Sequence, residues 1–261
     1  MKYARTALFT ALAATLVGAG CQSTPSHDAT TMDATSAQQT APEAAFAKPG
    51  FRVELEDGRL WVLKHGQEKP GRPVILIGAG PQGMTLKAVD RETALEYVAA
   101  KPGFDVSVED GRLWVLREGQ EKPRRPVMLI SAGPQGMTLR AHDRETALEY
   151  LATKPGFDVS VEDGRLWVLR EGQEKPARPV MLIGAGPQGM TLRAPDRDTA
   201  LEYLATKPGY RAEAEDGRVW ILKPGQEKTG KHVARIGAGP QGATLRGVDG
   251  ETLDRYMAYQ P

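Results

Sequence analysis

Phe104-Asp105-Val106-Ser107-Val108-Glu109-Asp110-Gly111-Arg112-Leu113-Trp114-Val115-Leu116-Arg117 decides the fold. Its first six residues alternate apolar and polar, the pattern of a strand with one buried face, and a second run returns after Asp-Gly. Asp110-Gly111 supplies the two positive φ values that a two-residue type I′ turn needs, so the stretch predicts a β-hairpin. In that register Glu109 faces Arg112 across the turn, which explains this acid and this base as a cross-strand pair.

The same hairpin occurs four times. Units begin at Lys48, Lys101, Lys154 and Lys207, a period of 53 residues with no insertion or deletion. Each unit carries Lys-Pro-Gly-Phe/Tyr, Glu-Asp-Gly-Arg, one Trp, Gly-Gln-Glu-Lys, Ala-Gly-Pro-Gln-Gly, then Asp and Tyr. The second and third units differ only at Arg124/Ala177, Ser131/Gly184, His142/Pro195 and Glu145/Asp198. Such likeness argues against one unit having become a specialised active site, and a fixed period near 50 residues is the mark of arrays or blades.

Within the second unit, Pro123 to Pro126 reads as a connector and Val127 to Ile130 as a short strand buried on both faces. Met137 to Arg140 reads as another strand, with Met137 and Leu139 inward. Asp143 is placed to cap a helix over Arg144 to Leu151, whose Ala147, Leu148 and Leu151 share a face. Lys154-Pro155-Gly156 ends it. The expected fold is therefore α+β: four tandem ββββα repeats over 48–100, 101–153, 154–206 and 207–261. Each is a small, mainly antiparallel sheet with one short helix, in an array or a blade-like ring. A lone 53-residue unit buries too little surface to be secure. Leu113 and Val115 lie on one face of the strand, Trp114 and Leu116 on the other, so neighbouring units are expected to pack through the Trp face.

Ahead of the repeats, Lys2 and Arg5 precede Leu8 to Val17, an apolar run too short to span a bilayer but fitting a secretory signal over 1–20. Gly18-Ala19-Gly20-Cys21 then leads into the only cysteine and resembles the lipobox of bacterial lipoproteins. The resemblance implies diacylation of Cys21 at the mature N-terminus, and Gln22 after it implies outer-membrane delivery, facing the periplasm or the surface. Gly18 stands where the family has Leu, and cleavage after Ala19 is the alternative. Residues 21–47, rich in Ser, Thr, Ala and Gln, read as a flexible tether of about 28 Å mean span.

Composition bounds the function. Basic and acidic residues number 34 and 33, 26% of the chain is charged and 40% hydrophobic, an ordinary balance that speaks against nucleic-acid binding by bulk charge. One Cys excludes an internal disulfide or a Cys-based zinc cluster. His65, His142 and His232 fall at three different repeat positions, so no shared metal or catalytic histidine is expected, and no cofactor is implied. Gly78-Ala-Gly80-Pro-Gln-Gly83 matches a dinucleotide motif literally, yet the following Met-Thr-Leu reads as strand where that motif needs a helix. A small-ligand, nucleotide or enzymatic role for these loops is the alternative to a non-catalytic repeat protein.

The tryptophans Trp61, Trp114, Trp167 and Trp220 recur once per unit. They are read either as packing or, with Arg59, Arg112, Arg165 and Arg218 on the same strand face, as a ladder for glycan or peptide. The expected partners are the membrane, through the lipid, and a cell-wall glycan or envelope protein.

Overall fold

A computed structural model describes residues 41–259. The first repeat holds β1 (Phe51–Glu56), β2 (Arg59–Lys64), β3 (Val74–Leu76), β4 (Thr85–Ala88) and α2 (Arg91–Ala99), behind a single helical turn, α1 (Ala41–Ala44). The second holds β5 (Phe104–Glu109), β6 (Arg112–Arg117), β7 (Val127–Leu129), β8 (Leu139–Ala141) and α3 (Arg144–Ala152). The third holds β9 (Phe157–Glu162), β10 (Arg165–Arg170), β11 (Val180–Leu182), β12 (Thr191–Ala194) and α4 (Arg197–Ala205). The fourth holds β13 (Arg211–Glu215), β14 (Arg218–Leu222), β15 (Val233–Arg235), β16 (Thr244–Gly247) and α5 (Gly250–Ala258). The chain is thus four tandem ββββα repeats.

Every sheet has the spatial order first, second, fourth, third strand. In the second repeat β5 and β6 pair antiparallel with Glu109 opposite Arg112, β6 and β8 run parallel, and β7 returns antiparallel to β8. Asp110 and Gly111 turn the hairpin at φ 51° and 68°, as a type I′ turn demands. Each of α2 to α5 starts at an aspartate whose carboxylate accepts the third backbone N–H of the helix; Asp143 accepts from Thr146 at 2.7 Å.

The helices decide how the repeats join. Leu113, Val115, Leu139 and Ala141 line one side of the second sheet, and both Tyr150 of its own helix and Leu95 and Ala99 of the preceding helix pack there. The third and fourth cores repeat this, with Leu148 and Ala152, then Leu201 and Ala205, arriving from the repeat before. Neighbours therefore share a helix, and the expected packing through the Trp face does not occur. Ala94, Ala147 and Ala200 are fully buried in α2 to α4, and a larger residue at this position would find no room beneath the helix.

Polar contacts fix the joint. Glu149 Oε1 accepts the Val161 amide at 3.1 Å while Oε2 takes Arg117 at 2.6 Å. Glu96 and Glu202 do the same for Val108 with Lys64 and for Ala214 with Arg170. Tyr150 donates its hydroxyl to Ala99 O at 2.8 Å and meets Phe104 edge-on at 5.5 Å.

Both ends of the array depart from this rule. Residues 40–47 align in register with Thr93–Ala100, and Glu43 Oε1 accepts the Leu55 amide at 3.0 Å as Glu96 does for Val108. Phe46 joins the first core, and its carbonyl accepts the Tyr97 hydroxyl at 2.8 Å. The segment read as the end of a tether is thus the remnant of a preceding helix, seated on the first sheet. In α5, Asp254 and Arg255 stand where α2 to α4 have Leu and Glu, and both face solvent in ion pairs with Arg235 and Glu251. A polar outer face is what a terminal repeat requires. The signal, Cys21 and the rest of the tether lie outside the described residues. Gln82 of the first repeat donates to Gly209 O of the fourth at 3.2 Å, so the two end repeats touch.

Candidate functional site

The helices occupy one side of each sheet, and the other side bears the residues singled out from the sequence, its arginines exposed but its Trp and the Leu two places on, such as Trp114 and Leu116, buried. Two rows cross it. The register sets Glu109 opposite Arg112 in one row and Ser107, Trp114, Arg140 and Met128 in the next, and Ile130 follows the end of β7. The first, third and fourth sheets have the same rows, with Arg59, Arg165 and Arg218 opposite Thr85, Thr191 and Thr244.

The four indoles do not stand open as stacking platforms. Trp61, Trp114, Trp167 and Trp220 retain only 6, 7, 7 and 4% of their exposure. Trp114 lies under Lys122 Nζ at 5.3 Å and the Arg140 guanidinium at 5.5 Å; Trp167 lies likewise under Lys175 and Arg193. Cations held over indole faces gain from the ring quadrupole while their aliphatic stems cover apolar surface. Lys122 also pairs with Glu109, and that ammonium holds the Glu109 carboxyl below its ordinary range. In the fourth repeat His232 tilts against Trp220 at 5.1 Å. The tryptophans thus cap their own sheets and are not the interface between units.

The arginines named with them are different. Arg59, Arg112, Arg165 and Arg218 are exposed and make no ion pair or side-chain hydrogen bond among the described residues. Sequence reasoning missed what lies beside them: Ile77, Ile130, Ile183 and Ile236 are 87, 84, 90 and 90% exposed. Met128 and Met181 are each 58% exposed. The strand expected to be buried on both faces is an edge strand with one face in solvent. Its apolar run gave no sign of exposure, but recurrence of Ile in all four copies, while buried Leu76 becomes Arg235 in the last, was a usable signal.

The glycine-rich loops have a structural account. Gly80 N donates to Met84 O at 2.8 Å, Met84 N to Pro81 O at 3.1 Å, and the chain passes through one 3-10 turn directly into β4. No helix follows, so the phosphate-binding geometry of a dinucleotide fold is not formed. A Cβ on Gly80 would lie 2.8 Å from Leu86, which accounts for that glycine by close approach to the core.

A second set of side chains converges between helix ends. Lys101 Nζ donates to the carbonyls of Tyr150 and Leu151 at 2.6 and 3.4 Å, capping α3, and lies 4.5 Å from the Tyr150 ring centroid. Lys48, Lys154 and Lys207 cap α2, α4 and α5 in the same manner. Burial pushes Lys48 and Lys154 down to about 8 and Lys101 to about 7, the last also feeling the charges of Lys48 and Lys154. Cations at helix C-termini offset the dipole, so these lysines have a complete structural role. An open cleft of about 390 Å³ beside Lys154 is lined by Phe104, Arg117, Glu149 and Phe157, which already serve the fold: Phe104 packs on Tyr150, Arg117 pairs with Glu149, and Phe157 packs in the third core.

Among the described residues no group of acidic, His or Cys side chains could hold a metal ion, and no helix is long and apolar enough to cross a membrane. Comparison of the chain with protein-family models, curated proteins and solved structures returns no match.

Proposed function

We propose that the chain is a non-catalytic, lipid-anchored repeat protein of the bacterial cell envelope. Its body binds partners multivalently through the solvent-facing side of its four sheets. The observation that carries this reading is the recurrence, in every repeat, of an unpartnered exposed arginine together with an isoleucine at least 84% exposed just past the third strand. A monomer gains nothing from holding four such isoleucines in water, since each leaves apolar area exposed at about 25 cal/mol per Å². Repetition of one weak face raises overall affinity by effective concentration.

The lipobox-like Gly18 to Cys21 supports an anchor, with delivery to the outer membrane. An envelope protein or cell-wall glycan is the partner class, and nucleic acid is not. The coverage of the tryptophans gives no support to glycan stacking, so the arginines and isoleucines carry the interaction. Cys21→Ser should move the protein from the membrane pellet to the soluble fraction. Changing Ile77, Ile130, Ile183 and Ile236 to Ser one after another should weaken binding to isolated envelopes more steeply with each face lost. Retention of Cys21→Ser in the pellet contradicts the anchor, and envelope binding indifferent to all four isoleucines contradicts the faces.

A further inference from the structure

We infer that each sheet's helix-free side is a site for a single-chain anionic amphiphile, a phosphate or carboxylate head on an alkyl tail. This rests on the reading of those faces as the binding surface and names its ligand class. The head would sit over Arg112 and Arg140, and the tail would follow Met128 and Ile130 off the β7 edge.

Two observations point to that chemistry. The first is the order of side chains within the rows. Arg112 and Arg140 lie toward the sheet centre while Met128, paired directly with Arg140, and Ile130 lie at the edge strand, so charge and apolar surface are side by side. The second is an excess of donors. Neither Arg112 nor Arg140 makes an ion pair or a side-chain hydrogen bond among the described residues, and Arg112 is exposed while Arg140 is half-buried. An anion supplies acceptors that the protein does not.

The edge itself favours a small ligand over an added peptide strand. β7 and β11 are three residues long and follow proline, features that blunt strand pairing. A patch two rows deep suits one alkyl chain.

The full chain is titrated with octyl phosphate, with inorganic phosphate as head alone, octyl glucoside as tail alone, and an alternating Glu-Leu peptide. Emission of the tryptophans beneath the cations reports occupancy. Octyl phosphate is expected to bind at least about tenfold more tightly than either fragment, and joint change of Ile77, Ile130, Ile183 and Ile236 to Ser to weaken it about tenfold, the loss of one alkyl contact per site. Ser107→Glu with Ser160→Glu, both on exposed strand faces, should weaken it without touching the tail contact. Equal binding of octyl glucoside, equal binding of phosphate, or indifference to these changes overturns the inference. Binding of the peptide with none of octyl phosphate also overturns it but leaves the multivalent faces standing; silence from all four probes counts against both.

Discussion

The Glu149 carboxylate of the second repeat accepts the Val161 backbone N–H of the third at 3.1 Å. Its other oxygen holds Arg117 of its own repeat, so one side chain ties a helix to a strand behind it and to a strand ahead. Glu149→Ala leaves that amide and that guanidinium without their acceptor, at a cost of about 1–3 kcal/mol. Glu149→Gln keeps an acceptor for Val161 and should lose less. Urea unfolding midpoints order the three proteins, and equal midpoints for Ala and wild type would contradict the joint.

The helix-capping lysines and the tyrosines beside them set opposite pH dependences. Lys48, Lys101 and Lys154 titrate at about 8, about 7 and about 8 in the fold, below the ordinary 10.5. Above those values the unfolded chain holds more protons than the folded one, so stability rises as pH increases toward 10. Burial raises Tyr97, Tyr150 and Tyr203 well above the ordinary 10.0 and Tyr256 to about 12. These ionise first in the unfolded chain, so stability falls beyond about pH 10. Urea midpoints from pH 6.5 to 11 should pass through a maximum, and Lys101→Met should flatten the rising limb. A midpoint that declines steadily from pH 7 contradicts the lysine assignment.

Much of this was legible in the sequence. The Asp-Gly hairpin, the aspartate caps and the 53-residue register all rest on local chemistry, and local chemistry is written in short stretches. Which side of the sheet faces the next repeat is not. Leu113 and Trp114 are both apolar, and the choice is made by Leu95 and Glu96 of a helix in the preceding unit. The candidate arginines were found, but the isoleucines beside them were read as core, because a four-residue apolar run does not reveal an edge. The first-repeat cap was in the sequence too: Thr40-Ala41-Pro42-Glu43 matches Thr93-Ala94-Leu95-Glu96 at three of four places, hidden by a polar setting that resembles a linker.

Tryptophan emission separates a covered face from an open ladder. All four indoles share one repeat position and are nearly buried, so the native full chain should emit to the blue of the unfolded chain and resist acrylamide. Lys122→Ala with Lys175→Ala removes the cation over Trp114 and Trp167 and should raise quenching. Red-shifted, freely quenched emission from the native protein would contradict the coverage of these side chains by Lys122 and Arg140.

The last helix carries the end of the array in two residues. Asp254→Leu with Arg255→Glu rewrites α5 in the pattern of α2 to α4, presenting an apolar side chain with no sheet to receive it. Sedimentation velocity at rising concentration should show more self-association for this variant than for the natural chain. Identical profiles would mean that Asp254 and Arg255 do not act as an end cap.

Hydrogen exchange at four amides tests the central claim that each repeat is joined to the next through a shared helix and its glutamate. Leu55, Val108, Val161 and Ala214 occupy one repeat position on edge strands and are held by Glu43, Glu96, Glu149 and Glu202. All four should exchange slowly, and Glu43→Ala should release Leu55 while leaving the other three protected. Fast exchange at all four in the unaltered protein would contradict the account.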